Sequence, residues 1–131
     1  MKIEHRISRL ICLFEDQILL AKSKADSYYF LHGGHIENDE SPEQALIREI
    51  KEELNIDIPL SELKFISEFE NSWINKNGDN HEVCYVYTNQ PDSKFDAISQ
   101  EDHLDFEWVS KSQLNEIDLR PEQIKEIIKK L

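Results

Sequence analysis

The sequence predicts an α/β fold in which a β-sheet is sandwiched between helices. Strand-like segments lie on both sides of one well-delimited amphipathic helix, and a second amphipathic helix ends the chain. The 131 residues, 39% of them hydrophobic, are enough for one compact core but too few for two ordinary domains. We therefore expect a single domain over residues 1–131, without internal repeats or an interdomain linker.

Six segments are predicted to be strands because they are apolar or alternating and are bounded by turn residues. They are residues 6–14, 17–22, 28–31, 63–73, 82–88 and 106–109. The pair Glu15–Asp16 joins the first two as a hairpin, and Asn77–Gly78 favours a reversal between the fourth and fifth. The pair Gly33–Gly34 is expected to stop the third. The polar stretch 89–102 is predicted to be a surface loop.

The first helix is predicted over Ser41–Leu54. Ser41 can cap it, Pro42 suits the first helical position, and Gln44 completes a capping box. The second is predicted over residues 121–131 and should dock on the sheet. Its apolar face comprises Ile124, Ile127, Ile128 and Leu131.

The chain carries 27 acidic residues against 15 Lys and Arg, a formal net charge of −12. This charge argues against long nucleic acids and anionic lipids as partners, and a phosphate ligand would need cations. The early apolar run Leu10–Phe14 is too short to span a bilayer, and no small-residue cleavage site follows it. We expect a cytoplasmic monomer or homodimer without membrane contact.

The two cysteines, Cys12 and Cys84, lie in apolar, strand-like surroundings and lack zinc-ligand spacing. We expect two buried free thiols, with a disulfide as the less supported alternative.

Three glutamates, Glu49, Glu52 and Glu53, fall within an arc of roughly 100° on the first helix, beside its apolar stripe. Such like charges repel one another, and Arg48 can reach Glu52 but cannot neutralise all three. Oxygen ligands of this kind suit Mg²⁺ or Mn²⁺. Taken alone, however, the trio is also typical of an ordinary solvated helix face.

The segment Gly34–Ile56 resembles the motif of the Nudix hydrolase family. That motif is Gly, five residues, Glu, seven residues, then Arg-Glu-aliphatic-any-Glu-Glu-any-Gly-aliphatic. Eight of its nine specified positions match: Gly34, Glu40, Arg48, Glu49, Ile50, Glu52, Glu53 and Ile56. The exception is Asn55 in place of Gly, at a position where we expect a left-handed conformation that Asn tolerates. Weaker likeness covers almost the whole chain, which is similar to compact MutT-like members.

The resemblance implies an α/β/α sandwich with a mixed β-sheet, the Nudix fold. It also implies a metal-dependent hydrolase that cleaves a pyrophosphate bond in a nucleoside diphosphate linked to another moiety, by water attack at phosphorus. Mg²⁺ or Mn²⁺ is the implied cofactor, and a small nucleotide or diphosphate is the implied substrate.

The resemblance also assigns roles to residues. It implies metal binding by Glu49, Glu52 and Glu53, with Gly34 offering a carbonyl ligand. Arg48 would orient these acids by ion pairing. Glu40, the outer glutamate of the motif, would assist through a water or a helix-capping contact. Candidate general bases are Glu52 and, in the late loop, Glu101. Candidate substrate contacts are Gly33, His32, which stands where many relatives have Pro, and Trp73, for which core packing is an equal alternative.

Two other functions stay open. Some members of this fold sense nucleotides without hydrolysing them, although such domains usually lose the motif acids. A prenyl diphosphate isomerase on the same fold would need a catalytic cysteine facing the pocket. The sequence does not identify the substrate, because the leaving moiety is recognised by loops outside the motif.

Overall fold

The computed structural model describes residues 2–131, which form a seven-stranded mixed sheet flanked by two α-helices. The elements are β1 (Lys2–Phe14), β2 (Gln17–Ser23), β3 (Tyr29–Phe30), β4 (His32–His35), α1 (Pro42–Leu54), β5 (Lys64–Asn75), β6 (Gly78–Asn89), β7 (Leu104–Ser110) and α2 (Gln123–Lys129). Short 3₁₀ helices lie at Leu60–Glu62 and Lys111–Glu116.

The long strand β1 organises the sheet. It pairs in parallel with β6 from Lys2 opposite Asp79 to Cys12 opposite Asn89. It also pairs antiparallel with β4, and its end forms the predicted hairpin with β2. β5 pairs antiparallel with β6, while β3 and β7 pair antiparallel with β2. One parallel pair among antiparallel ones makes the sheet mixed, as the resemblance implied.

Alternate residues of β1 pack into two cores on opposite faces of the sheet, because successive side chains of a strand point to opposite sides. Ile11 and Leu13 join the core that α2 closes with Ile124 and Ile128. Leu10 and Cys12 join the core that α1 closes, with the buried residues Leu46, Ile50 and Leu54. The predicted arrangement of a sheet between helices is confirmed.

Two local predictions are wrong. The pair Gly33–Gly34 does not stop a strand but lies inside β4, since backbone pairing with β1 overrides the weak strand propensity of glycine. The terminal helix ends at Lys129, and Leu131 is 39% exposed instead of docked, because the chain leaves the helix before that residue could face the core.

Both cysteines are buried free thiols, as predicted. Among the helices of residues 2–131, none has the length and apolar character needed to cross a membrane.

Candidate active site

Both ends of α1 are determined by local hydrogen bonds. The Gln44 amide donates to Ser41 Oγ at 3.1 Å, and the Ser41 amide donates to Gln44 Oε1 at 2.9 Å, completing the predicted capping box. At the other end Asn55 adopts the predicted left-handed conformation, with φ 56° and ψ 39°, and its amide donates to the Lys51 carbonyl. The helix therefore presents its side chains at a defined angle and height above the sheet.

The three motif glutamates of α1 are not equivalent. The side chains of Glu49 and Glu53 are 16% and 12% exposed, whereas that of Glu52 is 54% exposed. Glu49 and Glu53 lie nearer the sheet because they are one residue and three residues from Ile50, which is buried. Two of the predicted metal ligands therefore form a half-buried pair, and the third stands at the rim.

Arg48 holds the acidic groups around it by a branched set of ion pairs. Its Nε and Nη2 donate to both carboxylate oxygens of Glu40, at 2.7 and 2.9 Å, and its Nη1 donates to Glu49 Oε1 at 2.9 Å. The guanidinium also donates to the His35 carbonyl and lies 3.5 Å from Glu52 Oε2. These bonds lower the pKa of Glu40 and raise that of Arg48. The bidentate pair fixes the guanidinium in one plane.

Two glycines bring bare backbone against the acidic groups. A Cβ at Gly34 would lie 2.6 to 2.9 Å from the carboxylate atoms of Glu49, so that carboxylate occupies the space of a side chain. Gly33 has φ +150°, and a Cβ there would lie 1.9 Å from the Ser8 carbonyl oxygen. Gly33 therefore requires glycine, whereas a side chain at Gly34 would displace the Glu49 carboxylate.

Burial and neighbouring charge act together on Glu49. Desolvation is the larger cause and the charge of Glu53 adds to it, so that the pKa of Glu49 is raised to about 7 despite the opposing hydrogen bond from Arg48. Ionising Glu49 beside Glu53 is thus unfavourable in the metal-free protein. A cation between them would relieve the repulsion.

The donor set fits a hard divalent cation, because it consists of carboxylate oxygens facing a backbone that carries no side chain. To bind one ion together, the acidic side chains would have to move. Within residues 2–131, no three His, Cys, Asp or Glu side chains already stand in metal-binding positions. The exposed Glu52 is the group with the most freedom to move.

His32 lies behind Glu53 instead of at an open surface. Its ring is 2% exposed, packs edge-on against Phe106, and brings Nε2 within 2.5 Å of Glu53 Oε2. The approach is close, but neither ring nitrogen has a hydrogen bond of good geometry among the described residues. The structure therefore places this candidate substrate contact against a candidate metal ligand.

Glu101 belongs to a loop that touches the end of α1. The preceding residue, Gln100, donates its amide to the main-chain carbonyl of Glu53 at 2.7 Å, which holds this loop against the backbone at the end of α1. The Glu101 carboxylate itself lies 3.3 Å from His103 Nε2 and is partly exposed. Tertiary structure thus joins the late loop to the motif helix.

Trp73 lies on the wall of a cavity of about 790 Å³ between the sheet and the residues that precede α2. It is 39% exposed, and its ring stacks on His5 with centroids 5.4 Å apart and an interplanar angle of 18°. The sequence interpretation missed Arg9, Glu82 and Arg120, which line the same cavity. Arg9 and Glu82 are charged residues of the predicted strands 6–14 and 82–88, but Arg6 is charged as well, so charge alone could not single them out.

Cys84 is fully buried, and burial raises the pKa of its thiol to about 12, as it does for Cys12. Neither cysteine presents a thiolate at neutral pH. The burial argues against the isomerase alternative, which needs a cysteine facing the pocket.

Comparisons with known proteins agree with this geometry. The chain is 36% identical over 58 residues to an 8-oxo-dGTP diphosphatase of Proteus vulgaris, and the match covers 41% of this chain and 52% of that relative. Its fold is similar to the crystal structure of a MutT NUDIX hydrolase from Burkholderia pseudomallei, with TM-score 0.77, 22% identity and 98% of both chains covered.

The fold is also similar to the E. coli dihydroneopterin triphosphate pyrophosphohydrolase, with TM-score 0.76 and 16% identity over 98% of this chain and 97% of that one. The family model of the NUDIX domain matches residues 4–131, which include the glycine pair, the Arg48 ion pairs and all the motif acids. A match of that extent, on a chain with this helix and this sheet, makes the protein a member of the NUDIX family.

Proposed function

We propose that this protein hydrolyses a pyrophosphate bond in a nucleoside diphosphate linked to another moiety, with water attacking phosphorus. The observation that carries the proposal is the half-buried pair Glu49 and Glu53, with the Glu49 carboxylate packed against the bare backbone of Gly34. An acid pair of this kind is unfavourable in itself and becomes favourable beside a cation, which can also bind a phosphate.

Glu49 and Glu53, the Gly34 carbonyl and, after adjustment, Glu52 are the groups that would hold Mg²⁺ or Mn²⁺. Such an ion, when bound, would neutralise charge on the phosphoryl oxygens and lower the pKa of the attacking water. Family membership supports a divalent cofactor, and the oxygen-only donor set supports a hard one. Arg48 keeps Glu49 in position and is itself held by Glu40.

The pyrophosphate would bind beside Gly33 and Gly34, where the Glu49 carboxylate packs against the Gly34 backbone. The nucleoside part would occupy the cavity that Trp73 lines, with the indole ring as a stacking surface. His32 would act on the substrate through Glu53, which it contacts. The name of the Proteus vulgaris relative supports a nucleoside triphosphate among the candidate substrates.

The proton of the attacking water needs an acceptor with a free carboxylate. Glu52 and Glu101 are the two candidates, and both are more exposed than Glu49 and Glu53. Glu52 lies 3.5 Å from Arg48, whereas Glu101 belongs to the late loop, in which the Gln100 amide donates to the backbone at the end of α1.

The proposal is tested by incubating the purified protein with nucleoside triphosphates, nucleotide sugars and dinucleoside polyphosphates, with and without Mg²⁺, in ¹⁸O-labelled water. We expect metal-dependent release of phosphate or pyrophosphate with the label on one phosphorus product. Metal-dependent binding of a nucleotide without turnover would favour the sensor alternative instead. Absence of both turnover and binding would contradict membership of either functional class.

The proton acceptor is tested separately, by comparing the pH–rate profiles of Glu52→Gln and Glu101→Gln. Loss of the acceptor should remove the rise of kcat with pH on its acid limb and lower kcat by about 100-fold or more. The other variant should keep that limb. If both variants keep it, neither carboxylate accepts the proton.

A further inference from the structure

Glu82 is a buried acid that the proposed cleavage chemistry does not use. It lies in β6, is 8% exposed, and lines the 790 Å³ cavity. Within the described residues 2–131 its carboxylate has neither an ion pair nor a hydrogen bond of its own. Its oxygens are not among the fully enclosed polar atoms that lack a partner, so the carboxylate is open to the cavity. An unpaired carboxylate at a cavity wall can accept hydrogen bonds from a ligand.

The neighbours of Glu82 in the sheet do not supply the missing partner. His5 of β1 and Asn71 of β5 are its register partners on either side. His5 is engaged through both ring nitrogens, with His35 and Asn80, and Asn71 Oδ1 accepts from Gln123. The acceptor capacity of the Glu82 carboxylate is therefore left for whatever enters the cavity.

A cation lines the same cavity without pairing with this acid. Arg9 donates from Nη1 to the Leu31 carbonyl at 3.1 Å and lies over the Phe30 ring at 5.9 Å. In the register of β1 and β6, Arg9 stands four residues beyond the position opposite Glu82, about 13 Å along the strands. Both side chains nevertheless line one cavity, so a ligand in it can contact both.

The walls suit an aromatic ligand. Trp73, Tyr28 and Phe30 all line the cavity, with Trp73 stacked on His5 and Arg120 lying over the Tyr28 ring at 4.4 Å. Nucleobases stack on aromatic side chains whatever their sequence identity, so stacking alone does not select one base. Selection must come from the polar groups at the edge, which here are an acceptor pair and a donor fork.

Building on the proposed function, we propose that Glu82 selects the base, accepting two adjacent N–H groups of a guanine-type purine while Arg9 donates to its O6. Guanine and its C8-oxidised form both carry an N1–H beside a 2-amino group. Adenine, cytosine and thymine do not present two such donors side by side. A carboxylate left facing a ring acceptor loses its bonds and repels the base. Glu82 is thus a specificity-determining residue.

The test compares kcat/KM for dGTP, dITP, dATP and dCTP with Mg²⁺, in the unmodified protein and in Glu82→Gln. dITP lacks only the 2-amino group, so we expect its kcat/KM to be about 10- to 100-fold below that of dGTP. Glutamine offers one acceptor and one donor, so Glu82→Gln should lower kcat/KM for dGTP and bring the dGTP to dITP ratio near one.

The control variant is Glu68→Gln, the same change of charge at an exposed position of β5. Glu68 pairs in register with Tyr85, so it lies on the opposite face of the sheet from Glu82, and its variant should keep the full dGTP preference.

The outcomes separate the two proposals. Equal kcat/KM for dGTP and dITP in the unmodified protein would overturn the role of Glu82 without requiring any variant to fold. A dGTP preference that survives Glu82→Gln would overturn it as well, and in both cases hydrolysis itself would stand. Absence of turnover on every nucleotide would contradict the proposed function.

Discussion

The two α-helices of this protein each bury an apolar stripe against the sheet, but they differ in length and in how their ends are capped. Leu46 and Ile50 of α1 are as completely buried as Ile124 and Ile128 of α2. α1 runs for 13 residues with a capping box at its start and a left-handed residue at its end. α2 runs for seven residues, and no side chain caps its start at Glu122.

The two helices therefore have different roles on the two faces of the sheet. α1 carries a second, acidic stripe beside its apolar one, and its ends are held so that this stripe keeps a fixed orientation. α2 carries Lys and Glu on its outer face and closes a core. Substitutions in the acidic stripe of α1 should therefore act mainly on catalysis, and substitutions in α2 mainly on the free energy of unfolding.

The largest effect should come from the acidic stripe. Glu53→Gln removes a charge from the half-buried acid pair, and we expect kcat to fall by at least about 100-fold in Mg²⁺, with little loss of stability. The matched control is Glu126→Gln on the outer face of α2, where the acid forms an ion pair with Lys129 at 3.6 Å. Equal kcat in Glu53→Gln and Glu126→Gln would contradict the assignment of the catalytic role to α1.

The corresponding test of α2 is Ile128→Ala, which empties a fully buried position. We expect the free energy of unfolding, measured in urea, to fall by about 2 to 5 kcal/mol. The activity of the remaining folded protein should be unchanged. Ile127→Ala, at a partly buried neighbour, should lower stability less. A loss below about 1 kcal/mol for Ile128→Ala would mean that α2 does not close the core.

A pH dependence should distinguish Glu49 from any acid of α2. The pKa of Glu49 is about 7 in the folded chain against 4.5 when unperturbed, so its ionised form disfavours folding above pH 7. This penalty fades as pH falls from 7 towards 4.5, because the folded state then takes up the proton.

Glu49→Gln should therefore stabilise the metal-free protein at pH 8, by about 1 to 2 kcal/mol, since partial solvation reduces the full effect. The gain should disappear near pH 4.5. Urea unfolding at both pH values in the presence of a chelator measures it. A stabilisation that does not change with pH would show that Glu49 is not the group responsible.

The smallest effect concerns the helix ends. Asn55→Ala places an ordinary side chain in the left-handed conformation and should lower the free energy of unfolding by about 1 kcal/mol. Asn55→Gly, which restores the glycine of the family motif, should change it by less. Lys130→Ala at the end of α2, where the backbone stays right-handed, should be neutral. An unchanged free energy of unfolding in Asn55→Ala would show that the residue at the end of α1 does not contribute to stability.

The predictability of each part follows from how local its causes are. The boundaries of α1 were predictable because Ser41, Pro42, Gln44 and Asn55 act within one turn of the residues they cap. The strand at Gly33–Gly34 was not predictable, because its hydrogen bonds go to β1, more than 20 residues earlier. The early start of β1 at Lys2 likewise depends on pairing with β6.

In the candidate active site, too, the features with local causes were predictable and those set by the sheet were not. The motif predicted that Arg48, Glu49, Glu52 and Glu53 belong together, since they are neighbours on one helix. It did not predict that Glu52 would be exposed while Glu49 and Glu53 are not, because the sheet decides that difference. Nor did it predict that Arg48 would bind Glu40 with both oxygens, or that His32 would lie against Glu53.

By itself, the sequence determined the family, the alternating pattern of the strands and the stripe of carboxylates on α1, since these depend on the identity and spacing of residues close in the chain. Only the tertiary structure decided which carboxylates are desolvated, which loop meets them, and that Arg9, Glu82 and Trp73 share one cavity. The reason is physical: desolvation and charge–charge interaction depend on distances in space, and strand pairing sets those distances between residues far apart in sequence.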